Sequence, residues 1–183
     1  MQLANYIKIY ESKLSKNLCN DIISFYKENA IWKDSTFSSN KENTGSSSVS
    51  MREHWVRPGK KFYNELDKTF KECVHWYTQE YPRITPIAYT AFRINHYGKG
   101  GFMRNHVDNI YKSHGQQYGY PHLTSLVFLN DDYEGGDFLM CDQSIRHKLN
   151  QGDVIVFPSN FMFDHEVEKV TKGNRYTCMT WVM

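Results

Sequence analysis

Apolar positions along the chain change their period near residue 86. Before that point they recur three and four residues apart. Leu18, Ile22, Phe25 and Tyr26 share one face of a helix expected over 15–30. Ser15 is placed to cap it, with Leu14 just outside. Pro58 and Gly59 introduce a second helix, which puts Phe62, Leu66, Phe70, Val74 and Tyr77 on one side and ends at Tyr81-Pro82. Both stripes read as core. Between the helices, residues 34–50 (DSTFSSNKENTGSSSVS) are polar throughout. Such a stretch is a loop, and its length suits either a lid over a site or a plain solvated surface.

Beyond Pro86 the runs become short, β-branched and aromatic: IAYTAFRINHY, LTSLVFLN, DFLM, DVIVFP, HEVEKV and RYTCMTWVM. Turn signals separate them at Gly98 to Gly101, Asn130-Asp131-Asp132, Gly135-Gly136, Gln151-Gly152 and Gly173-Asn174. Many short strands with close turns predict a mainly β, α+β protein: a sandwich or jelly roll with helices outside. At 183 residues the chain suits a single domain, divided into a helical, lid-forming part over 1–85 and a strand-rich core over 86–183.

Composition narrows the setting. A net charge of +2 gives no general attraction to nucleic acid or membrane. The first residues, MQLANYIKIYESKLSKN, lack the apolar core of a signal peptide, and no run is long enough to cross a bilayer. These features predict a cytoplasmic protein. Cys19, Cys73, Cys141 and Cys178 are scattered with no Cys-x-x-Cys pair, which argues against a disulfide framework and a thiolate zinc site.

The chemistry-bearing residues are few. In His106-Val107-Asp108 a strand end points an imidazole and a carboxylate to one side. The pair alone is unremarkable by chance. His165 follows the apolar strand DVIVFP, and Arg175 heads the last strand, where alternation aligns it with Thr177, Met179 and Trp181. Two histidines and one carboxylate leave positions open on a ferrous ion. A guanidinium suits the far carboxylate of a dicarboxylic acid. The plainer reading of Arg175 is an exposed strand-edge residue, or one paired with Glu166 or Glu168. His54, His75, His96, His114, His122 and His147 stand at no ligand spacing with a carboxylate and read as surface or core histidines. Asp137 and Asp142 read as turn or strand-edge residues.

Tyr97, HVDN (His106 to Asn109), LTSLVFLNDDYEGGDFLM, GDVIVFP, HEVEKVTKGNRY and Trp181, in that order, resemble the prolyl 4-hydroxylase-like branch of the 2-oxoglutarate oxygenases over roughly residues 89–183. The resemblance implies a double-stranded β-helix, a jelly-roll variant, flanked by N-terminal helices. It implies Fe(II) on His106, Asp108 and His165, and 2-oxoglutarate held by Arg175 and Tyr97. Leu126 and Phe138 match positions lining the cosubstrate pocket, and Trp181 matches an aromatic beside the site. Dioxygen is the co-reactant and ascorbate a supporting reductant. Residues 34–50, with Arg52 and Trp55, resemble a segment that folds over a peptide substrate. Phe128 stands where some relatives have a second cosubstrate tyrosine, and Met179 where some have threonine; Thr177 or Thr124 is available to compensate. The implied reaction is hydroxylation of an unactivated C–H bond, first of all prolyl 4-hydroxylation of a protein or peptide. A free amino acid, another small molecule or a nucleobase is the alternative substrate. A non-catalytic jelly-roll binding module and a zinc hydrolase are the readings of another class.

Overall fold

The computed structural model describes residues 2–35, 48–108, 120–147 and 149–183. Residues 36–47, most of the loop expected to fold over a substrate, lie outside them, as does His114. Helix α1 spans Lys16–Asn29, and the Ser15 hydroxyl accepts from the Leu18 amide at 3.3 Å, the expected cap. Helix α2 spans Tyr63–Glu80 and buries Leu66, Phe70, Val74 and Tyr77. It begins after Phe62, whose φ of 64° turns the chain into the helix without a side-chain cap. Phe62 is held there by an edge contact with Phe25 of α1, ring centroids 5.7 Å apart.

The strands are β1 (Lys8–Tyr10), β2 (Lys33–Asp34), β3 (Val49–Ser50), β4 (Arg52–Val56), β5 (Phe92–Tyr97), β6 (Phe102–His106), β7 (Leu123–Phe128), β8 (Glu134–Gly135), β9 (Phe138–Met140), β10 (Ile145–His147), β11 (Val154–Pro158), β12 (His165–Val167), β13 (Val170–Lys172) and β14 (Arg175–Val182). They form a larger sheet in the order β1-β11-β7-β14-β5-β4-β2, a smaller one in the order β10-β9-β12-β6-β3, and a β13-β8 ribbon. Neighbours pair antiparallel throughout. This is the jelly roll expected from the strand pattern.

The larger sheet is buried on both faces, which explains why LTSLVF and RYTCMTWV read as unbroken apolar runs. On one face Leu123, Val127, Tyr176, Cys178 and Val182 pack against α1 and α2. On the other Leu126, Phe128, Met179 and Trp181 meet Phe138, Met140 and Val167 of the smaller sheet. Period-two alternation therefore sorts each strand between a helix-side core and an interior.

Two expectations need revision. HEVEKV is not one strand: the register shifts between His165 and Val167, and the chain continues as β13, paired with β8 instead of β6. The helical first part also contributes strands, because β1, β2 and β4 extend the larger sheet and β3 the smaller one. They are two to five residues long and carry mixed polarity, too short for a periodic signal.

Candidate active site

His106 closes β6 and His165 opens β12, and the two face each other across the antiparallel ladder. Their ring centroids are 4.2 Å apart. Asp108 follows β6 by two residues. Its Oδ1 lies 3.8 Å from His106 Nε2 and its Oδ2 3.7 Å from His165 Nε2. One donor atom from each of the three lies within 4.8 Å of the others, and all three residues are buried.

The backbone fixes both tautomers. His106 Nδ1–H donates to the Arg104 carbonyl at 2.9 Å, and His165 Nδ1–H to the Phe163 carbonyl at 3.2 Å. Each Nε2 thus keeps its lone pair for the space beside Asp108. Thr124 on β7 donates to Asp108 Oδ2 at 2.5 Å and lies 2.8 Å from the Ser159 hydroxyl. The Asp164 carboxylate binds the Asn105 amide side chain and accepts from the Asp142 backbone N–H at 3.0 Å. It thereby ties the residue before one histidine to the residue before the other.

Protonation follows the same geometry. Burial, then the facing His165, push the His106 imidazole well below its ordinary range, so it stays neutral. Burial opposes ionisation of Asp108, but attraction to the facing imidazole pair outweighs it, helped by the hydrogen bond from Thr124; the carboxyl titrates low. A neutral His106 beside an ionised Asp108 suits a divalent cation.

Arg175 begins β14 opposite Tyr97. Its side chain is fully buried, and Nε, Nη1 and Nη2 have no hydrogen-bond partner among the described residues. Aromatic rings surround it instead: Phe128 at 5.0 Å, Tyr97 at 5.1 Å and Tyr133 at 6.0 Å from the guanidinium carbon. The plainer reading of Arg175 does not hold, since Glu168 is engaged with the exposed Arg146. Gly136 makes the berth possible. Its φ is 65°, and a Cβ there would sit 3.1 Å from Arg175 Cδ and 2.9 Å from Val170. A buried, unpaired cation is costly and calls for an anion.

The remaining expected site residues fall on the same interior. Tyr97, Leu126, Phe138 and Trp181 are all in its core. Among the described residues the Tyr97 hydroxyl reaches only the Met103 sulfur, at 3.8 Å, and burial raises its pKa. Thr177 accepts a 3.4 Å bond from Asn95, and Thr124 serves Asp108, so both threonines already have a role inside the protein. Met179 accepts from Arg93 Nη2 at 2.9 Å. Alternation along β4 separates Arg52 from Trp55: Arg52 donates to His96 on the helix side, whereas Trp55 packs on the interior. Asp142 lies in a turn with φ 54°, and Asp137 pairs with exposed Arg146, as read from the sequence. Sequence reasoning missed Arg93, Asn95 and Glu53. A signal was present, since a charged residue inside IAYTAFRINHY, four positions before Tyr97, shares that residue's face.

A jelly roll with two imidazoles and a carboxylate converging inside it belongs to the class of β-helix proteins with a facial two-histidine, one-carboxylate site. More particularly, a family model for the 2OG-Fe(II) oxygenase superfamily matches residues 92–183, and the chain belongs to that superfamily. It is 36% identical over 105 residues to a PKHD-type hydroxylase of Psychrobacter sp. (strain PRwf-1), covering 54% of this chain and 38% of that relative. The chain spans less than half the length of the curated relatives it matches. Its fold is similar to the viral collagen prolyl hydroxylase of Paramecium Bursaria Chlorella virus-1 in its 2OG complex, with TM-score 0.74, 16% identity, and 97% and 95% of the two chains covered. It is also similar to a Trichoplax adhaerens prolyl hydroxylase in complex with a hypoxia inducible factor peptide fragment, with TM-score 0.73, 16% identity, and 98% and 84% covered. The superfamily's cofactors are Fe(II), 2-oxoglutarate and dioxygen, and the donor set here fits them.

Proposed function

We propose that the protein is an Fe(II)- and 2-oxoglutarate-dependent dioxygenase that hydroxylates an unactivated C–H bond, with a prolyl residue of a peptide as its first candidate substrate. The observation that carries this reading is Arg175, a fully buried guanidinium with three nitrogens unpartnered among the described residues. A zinc hydrolase has no use for such a group, and a non-catalytic module has no reason to retain the triad beside it. The relatives' names and the peptide held by the Trichoplax protein support a prolyl substrate. The four buried free thiols support a reducing, cytoplasmic setting. Among the described residues no helix is long and apolar enough to cross a membrane.

In this reading His106, Asp108 and His165 hold the iron, and Arg175 takes the far carboxylate of 2-oxoglutarate through its fork of N–H donors. Bound iron and cosubstrate supply the oxidising chemistry, spending dioxygen and releasing succinate and carbon dioxide. The chain's own work is placement. Thr124 helps hold the Asp108 carboxylate in its ionised form and aims it. The carbonyls of Arg104 and Phe163 keep both imidazoles turned Nε2-inward. Leu126, Phe128 and Phe138 keep water from the cosubstrate's methylene chain. Ascorbate would serve only to keep the metal ferrous.

The test is anaerobic titration of Fe(II)-loaded protein with 2-oxoglutarate, followed by its visible charge-transfer absorption, and then succinate release on admitting air. Arg175→Ala should weaken 2-oxoglutarate binding at least tenfold and leave Fe(II) binding intact. Asp108→Ala should remove both the absorption and the succinate. Cosubstrate affinity that is unchanged in Arg175→Ala would overturn the assignment.

A further inference from the structure

We propose that Arg93 is a specificity-determining residue whose guanidinium receives a carboxylate carried by the hydroxylated substrate. The inference deepens the reading above and rests on Arg175 being the cosubstrate's partner. Arg93 lies on β5 on the same face as Tyr97, opposite Met179 of β14. Four strand residues, about 13 Å, separate its place on the ladder from that of Arg175, so the two cations serve different ends of the interior.

The side chain is only 11% exposed, yet poorly satisfied. Nε has no hydrogen-bond partner among the described residues. Among the described residues Nη2 donates only to the Met179 thioether, a weak acceptor. Nη1 stands 3.6 Å from Glu53, beyond a hydrogen bond, and the other Glu53 oxygen accepts from the Trp55 indole at 3.1 Å. An arginine present only to neutralise Glu53 would turn its fork to that carboxylate. The edge that makes two parallel bonds to a carboxylate, Nε with Nη2, here carries nothing stronger than the thioether contact. The guanidinium carbon lies 5.0 Å from the Trp181 ring and 5.8 Å from the Trp55 ring, two cation–π contacts that help seat the cation. Trp181 also acts on the Asp108 carboxyl, which places this edge one side chain from a candidate metal ligand. Beside it Asn95 Oδ1, buried and without a partner among the described residues, can accept an N–H of the same substrate.

The carboxylate could belong to a free amino acid or to an acidic residue of a peptide. Calorimetric titration of the Fe(II)- and 2-oxoglutarate-loaded protein, without oxygen, distinguishes them. The probes are L-proline against L-prolinamide, and N-acetyl-Glu-Pro-Gly-amide against its Gln counterpart. The expected result is at least tenfold tighter binding of the acid in one pair; the proline pair assigns a free amino acid and the peptide pair an acidic peptide. Arg93→Met should abolish that preference while 2-oxoglutarate affinity stays within twofold. Glu53→Gln, which removes a repelling charge and spares the arginine, should tighten acid binding threefold or more. Equal binding within both pairs, a preference that survives Arg93→Met, or acid binding not tightened by Glu53→Gln overturns the proposal. A loss of 2-oxoglutarate affinity in Arg93→Met together with its retention in Arg175→Ala overturns instead the cosubstrate assignment on which it rests.

Discussion

At the scale of single residues, the site depends on side chains that touch the ligand-bearing groups without offering donors of their own. Thr124 is the clearest case. It donates a hydrogen bond to Asp108 and so orients a buried carboxylate that burial alone would drive toward the neutral acid. Thr124→Val keeps the shape and removes the bond. Metal affinity should fall about 10–100-fold, the usual effect of losing such a partner, with Co(II) titration as the readout and 2-oxoglutarate-independent folding unchanged by circular dichroism. Gly136 acts on the other end of the site. A methyl group in Gly136→Ala meets Arg175 Cδ and Val170, and φ 65° strains any L residue. The guanidinium must shift, so 2-oxoglutarate affinity should drop while Co(II) affinity holds. Parallel loss of both would show that the whole interior had moved, not the arginine alone.

Elements explain why these residues arrive where they do. The larger sheet must be buried on both faces, and the helices cover the face turned away from the site. Phe70 of α2 is wholly buried and lies 5.2 Å from Phe92, whose strand carries Arg93, Asn95 and Tyr97 on its opposite face. Phe70→Ala should cost about 3–5 kcal/mol of stability by opening a cavity. It should lower the melting temperature strongly but leave 2-oxoglutarate affinity near normal in the cold, because the cavity opens on the helix side. Both helices were legible in the sequence because their apolar residues repeat at helical spacing, and the central strands because β-branched runs stood between turn residues. The same logic picked out Arg175, a charge heading an apolar strand, while Arg93 inside another went unremarked. The short strands β1 to β4 were not legible, since two to five residues of mixed polarity carry no periodic signal. Nor was the break after Val167, which depends on a register shift between partners remote in sequence.

Across the whole molecule, one cross-tie joins the first part of the chain to the jelly roll, and it responds to pH. His96 of β5 stacks on Tyr176 of β14 with ring centroids 4.6 Å apart and an interplanar angle of 7°. Arg52 Nη2 donates to its Nδ1 at 3.0 Å, so the ring's Nε2–H donates to Asn174 Oδ1 at 2.8 Å. Trp32, from the segment after α1, packs 5.6 Å away. A proton on Nδ1 would break the Arg52 bond and set two cations together. Burial first, then Arg52 and Lys27, accordingly lower the pKa from 6.5, against the opposing pull of Asn174. Above pH 6.5 both folded and unfolded chains hold this imidazole neutral, and it adds no pH dependence. As pH falls below 6.5 the unfolded chain takes up the proton first, so stability is lost on acidification until the folded ring also titrates. Half-buried His147, lowered by burial alone, acts in the same direction. Urea unfolding of metal-free protein should therefore show a midpoint that is flat above neutrality and falls toward about pH 5. His96→Gln, which can accept from Arg52 and donate to Asn174 without titrating, should make that fall shallower, leaving the part due to His147 and His106. An identical slope in the variant would mean that the tie between the two parts of the chain is not what acid breaks.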